Sequence, residues 1–139
     1  MSSYSPSEEF SNCQPPHDKI SIIEVPTGAP ASAEVVNEPV LFPDGGHEET
    51  IGCHDITAYP EKGIAVGACI GDGIIMDITD PDNPEEIGSF DRGPWDPDQL
   101  SMAGSWSAYY YNGHVYSSDI QHGLDVLRLT DERTLGPGH

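Results

Sequence analysis

Three stretches of the chain can be laid over one another: Ser21-Ile22-Ile23-Glu24-Val25-Pro26-Thr27, Ile74-Ile75-Met76-Asp77-Ile78-Thr79-Asp80 and Asp125-Val126-Leu127-Arg128-Leu129-Thr130-Asp131. Each is a short apolar run, interrupted by a charged residue and closed by Thr, with Asp or Pro nearby. A unit recurring at intervals of about fifty residues marks a repeat architecture, in which each copy buries its apolar face against the next. That recurrence constrains the fold far more than it constrains the chemistry.

The residues around the repeats read as strands. Lys19 to Val25 and Ala33 to Phe42 form the first pair, with Pro39 marking an edge or bulge. Four short strands follow: Cys53–Tyr59, Ile64–Ile70, Ile74–Thr79 and Glu85–Phe90. They are joined by the turns Pro60-Glu61-Lys62-Gly63, Gly71-Asp72-Gly73 and Asp80-Pro81-Asp82-Asn83-Pro84, which makes an antiparallel meander. Gly104–Tyr111 and His114–Asp119 flank Asn112-Gly113, the dipeptide favoured in two-residue hairpins because both positions take positive φ. Leu124–Leu129 is the third strand of this last group, and a fourth is missing. With 15 Gly and 13 Pro, helix evidence is negligible.

The reading is therefore all-β: antiparallel four-stranded meanders forming a partial β-propeller, with one full blade and two partial ones. The blades span 17–42, 53–90 and 104–130. A flexible amino-terminal arm covers 1–16 and a disordered tail covers 132–139. So few blades do not close a ring, so open strand edges would serve as templates for association with copies of the chain or with other blades.

Charge narrows the partners. With 24 acidic against 5 basic residues the formal net charge is −19. Nucleic acid is not an expected ligand, because phosphate binding needs clustered Lys and Arg. No apolar run reaches bilayer-spanning length and the first residues lack the pattern of a secretory signal, so neither membrane insertion nor export is expected of the chain as written. The three cysteines, Cys13, Cys53 and Cys69, contain no CxxC pair. One disulfide with a leftover thiol, or three buried thiols, fit equally well.

Two His-Asp dipeptides, His17-Asp18 and His54-Asp55, each follow a Cys closely. His17, His54 and Asp55 are candidate ligands for a divalent transition metal, since neutral imidazole suits Zn, Cu or Ni and a carboxylate can orient the ring. The competing reading has the imidazoles hydrogen-bonded to neighbouring backbone, tying adjacent blades together. No cofactor is otherwise indicated. A second group comprises His114, Asp119 and His122, but residues five apart on a strand point to opposite faces, so His114 and Asp119 should not share a site without a bulge. His122 is expected to be solvated. Asp72, Asp80, Asp82 and Asn83 read as turn formers rather than calcium ligands. Alternation should send Trp106 and Tyr110 to one face and Tyr109 and Tyr111 to the other, with both faces covered. A carbohydrate or peptide platform is the alternative use of these aromatics.

Several pieces together resemble the LVIVD-repeat family, proteins with β-propeller architecture that are often exported: Asn12-Cys13-Gln14-Pro15-Pro16-His17-Asp18, Gly52-Cys53-His54-Asp55-Ile56-Thr57, Gly67-Ala68-Cys69 and Gly73-Ile74-Ile75-Met76-Asp77-Ile78-Thr79-Asp80-Pro81. Further pieces are Phe90-Asp91-Arg92-Gly93-Pro94, Trp106-Ser107, Tyr109-Tyr110-Tyr111-Asn112-Gly113, Ser118-Asp119-Ile120 and Gly123-Leu124-Asp125-Val126. The resemblance implies a propeller fold, an extracellular or cell-surface setting for a full-length parent, and no catalytic residues. Members are usually several blades longer, so this chain reads as a truncated or internally shortened member. The expected role is a non-catalytic module for binding protein or carbohydrate, or for surface structure. The alternatives are a metal-dependent hydrolase or oxidoreductase at the propeller axis, and an incomplete gene product without independent function.

Overall fold

The computed structural model describes residues 19–41, 51–70, 72–91 and 104–134. The expected arm at 1–16, and His17 with it, lies outside the described residues. Nine strands form three antiparallel sheets and, among the described residues, there is no α-helix. The first sheet pairs β1 (Ile22–Glu24) with β2 (Glu34–Asn37). The second runs in sequence order through β3 (Ile51–Tyr59), β4 (Ile64–Ile70), β5 (Asp72–Asp77) and β6 (Glu85–Asp91). The third contains β7 (Ser105–Tyr111), β8 (His114–Asp119) and β9 (Gly123–Arg128). The described strands do not close into a barrel or a ring of sheets.

The meander forms, and its turns at 60–63 and 80–84 stand where the sequence places them. Asn112 and Gly113 have φ of 48° and 79°, the left-handed values that a two-residue hairpin demands. Gly63, at φ 66°, ends the 3₁₀ turn Pro60–Lys62, and a Cβ there would sit 2.6 Å from the Thr79 methyl group. Two elements are shorter than their apolar runs suggested. Lys19 meets Val40 only through an isolated bridge, and β2 stops at Asn37, two residues before Pro39. Residues 132–134, expected in the tail, make a 3₁₀ turn.

The sheets stack as three layers with the four-stranded sheet in the middle. Its central strand β4 is buried on both sides. Ala65 and Cys69 join Ile20, Leu41, Ile74 and Met76 in a core against the first sheet, while Ile64, Val66 and Ala68 join Ala108, Tyr110 and Val115 in a core against the third. Strand alternation accounts for the division, since odd and even residues leave opposite faces.

The three repeats keep their faces. Ile22 packs in the core beneath the second sheet and Ile75 packs in the core beneath the third, so each points to the layer that follows it in the chain. Met76 and Ile78, and likewise Leu127 and Leu129, point to the layer that precedes them. Even a backbone bond repeats: Ile78 N–H donates to Gly63 O at 2.8 Å, and Leu129 N–H to Gly113 O at 3.4 Å. Val126 therefore occupies the place of Ile22 and Ile75, but it is 54% exposed, because no described layer follows the third sheet. At the other end, Val25 stands where Ile78 and Leu129 stand, and it is 56% exposed.

Candidate functional site

His54 lies on β3 close to the third sheet. Its Nε2–H donates to the backbone carbonyl of Trp106 at 2.9 Å, and its ring leans on the Trp106 indole with centroids 5.1 Å apart. One strand end away, the Tyr59 hydroxyl accepts the backbone N–H of Tyr110 at 2.9 Å, and the two rings meet edge to face. Lys62 places its ammonium 5.1 Å from the Tyr110 ring centre. Two side chains of β3 thus take up one acceptor and one donor on the outer edge of β7. A buried backbone group left without a partner is costly, so these bonds join the sheets as well as satisfying the strand.

His54 thus makes a hydrogen bond to backbone of a neighbouring sheet. Asp55 follows it on β3, just past a register irregularity between Cys53 and Asp55. His17, the third candidate ligand, is outside the described residues. Among the described residues no group of three His, Cys, Asp or Glu side chains stands close enough to hold a metal ion. His54→Ala should lower stability by about 1–2 kcal/mol through the lost hydrogen bond and ring contact, with metal content unchanged. Parallel urea titrations and elemental analysis of both proteins check this, and a stoichiometric metal lost on substitution would contradict it.

Cys53 and Cys69, directly opposite on β3 and β4, form a disulfide beneath the first sheet. The pairing that composition left open is thereby resolved.

The second group divides. His114 turns to its own hairpin, with Nδ1–H donating to Asn112 O, and does not meet Asp119. Asp119 is almost wholly buried, its side chain 3% exposed. Oδ1 accepts the backbone N–H groups of Gln121 and His122, both at 2.8 Å, and the His122 ring at 3.2 Å, while Oδ2 accepts Gly104 N–H at 3.0 Å. Burial pushes this carboxyl upward. The His122, Gln121 and Gly104 N–H groups and the His122 ring outweigh it and hold the group below the usual carboxylate range. His122, expected to be solvated, is therefore engaged with Asp119. The signal was available locally, since an Asp that collects the N–H groups two and three residues on is a turn organiser.

Asp80 behaves as a turn former, accepting from Asp82 N–H and Asn83 Nδ2. Asp72 does not: it starts β5, opposite Asp91, and is buried. At the end of the same strand, Asp77 takes the backbone N–H and the hydroxyl of Thr79, and these bonds lower its pKa. Half-buried Asp131 is held near a pKa of about 2 by the side chain and then the backbone N–H of Arg133, which grips it bidentately.

The aromatic strand departs from simple alternation at one residue. Tyr110 is buried, and Tyr109 and Tyr111 share the opposite face as expected. Trp106, however, sits at a bulge between Ser105 and Ser107 and is 50% exposed instead of following Tyr110 inward. The expected covering of both faces also fails, for Tyr111 is 71% exposed. Tyr109, Tyr111, Leu124 and Val126 form an apolar outer surface on the third sheet. Between the outer strands of the second and third sheets lies a cleft of about 360 Å³, walled by Ile87, Gly88 and Phe90 on one side and Val126, Leu127 and Leu129 on the other.

No protein-family model matches the chain, and no curated protein or solved structure matches it either. The similarity to LVIVD-repeat proteins rests on the sequence motifs alone.

Proposed function

We propose that the chain is a non-catalytic β-propeller-type repeat module, which acts by binding through the faces of its sheets. One observation carries this reading: positions that pack between layers inside the stack are left bare at its two ends. Ile22 and Ile75 are covered by a following layer and Val126 is not, while Ile78 and Leu129 are covered by a preceding layer and Val25 is not. The bare ends are therefore of opposite kind, and a further layer of the same repeat type fits each. A second copy of the chain can supply it head to tail.

Sedimentation velocity in 1 M NaCl, where the Debye length is roughly 3 Å and repulsion between strongly acidic copies is screened, tests this proposal. Mean mass should rise with concentration, and Tyr109→Ser/Tyr111→Ser should weaken the association at least tenfold while the circular dichroism spectrum is kept. Strict monomers across the concentration range, or association indifferent to the double substitution, would refute it.

A further inference from the structure

Among the described residues the third sheet has three strands where the second has four. In the second sheet, β6 covers the edge of β5; in the third, no described strand covers the corresponding edge of β9. The other described edges are protected. Pairing is irregular at β1–β2, β3–β4 and β5–β6, and β6 carries acids at Glu85, Glu86 and Asp91. The edge of β7 is bulged and taken up by His54 and Tyr59. Among the described strands, only β9 is an edge strand whose pairing runs without a shift, over six residues and without proline. Regular, uncovered edges are the ones that accept another strand.

The cleft lies beside that edge. Its wall on β6 includes Gly88, where a Cβ would meet nothing within 4 Å, so there is room for side chains entering from a strand laid along β9. We infer that β9 is a strand-addition site: an extended peptide from a partner protein pairs with it as a fourth strand and sends alternate apolar side chains into the cleft. Main-chain bonds give such a site its affinity and the cleft its selectivity. The net charge of −19 favours basic residues at the peptide's outward positions. This site is an edge, separate from the sheet face invoked for head-to-tail stacking, and it does not depend on that stacking.

The probe is a fluorescent, end-blocked peptide with apolar residues at alternate positions and lysine between them, Lys-Ile-Lys-Val-Lys-Phe-Lys. Anisotropy titrations should show saturable binding to the full chain. N-methylation of alternate peptide amides should weaken it at least tenfold, and Gly88→Val, which fills the cleft, should do the same. Tyr109→Ser/Tyr111→Ser should leave it unchanged, which separates this outcome from failure of head-to-tail association. No binding of the unmethylated peptide, or binding insensitive to N-methylation, overturns the inference, and the methylation arm needs no variant to fold. Binding that persists unchanged in folded Gly88→Val overturns it as well.

Discussion

Asp119→Ala should lower the unfolding free energy by about 3 kcal/mol, because three backbone N–H groups and one imidazole lose a charged acceptor inside the protein. Asp119→Asn keeps the shape and removes the charge, and about half that loss is expected. The pH dependence follows from the direction of the shift. A carboxyl whose folded pKa lies below its unfolded value of about 3.9 adds stability above that value, and the contribution fades as pH falls through the folded pKa. Urea midpoints of wild type and variant should therefore stand apart at pH 7 and converge at acid pH. A gap that stays constant down to pH 2 would mean that the ionised carboxylate is not what holds the turn. Asp77 and Asp131 act in the same direction on the wild-type baseline, but they are common to both proteins and cancel in the comparison.

The second large effect belongs to the disulfide. Cys53 and Cys69 enclose a loop with a sequence separation of 16, for which chain-entropy arguments give about 3 kcal/mol. Replacing both by Ala keeps the site apolar, and the thermal midpoint should fall by about 10 °C. The comparison is best made with the double variant, since Cys53 and Cys69 are buried and reductant reaches them slowly. An unchanged midpoint would show that the unfolded chain loses nothing when the link is removed. A bond of this kind persists in oxidising surroundings.

The fold was legible where the information is local. Ile64–Ile70 and His114–Asp119 begin and end where apolar alternation and Gly-containing turns place them, and Asn112-Gly113 turns as its stereochemistry requires. The repeat was legible too, because Ile74 and Asp125 open segments that occupy the same strand of successive sheets. What escaped depends on partners distant in sequence. The bulge at Trp106 shows only in the pairing of β7 with β8, so alternation alone sent that indole to the wrong side. Asp72 sits between glycines, as turn aspartates do, yet β6 pairs with it and extends the strand. Of the candidate metal ligands, His54 could be placed only when Trp106, 52 residues away, was in position. Tyr59 drew no attention because nothing in its neighbourhood announces a hydroxyl that serves Tyr110.

The ties from β3 to β7 run from side chain to main chain. Every residue except proline offers the same amide hydrogen, and every residue offers the same carbonyl oxygen, so these two contacts exclude only proline at position 110 and place no demand on position 106. Positions 54 and 59 have no such latitude: each needs a polar atom at a fixed reach. Drift over generations should therefore be lopsided, with the giving strand held to type and the receiving strand free to vary as far as its own packing allows.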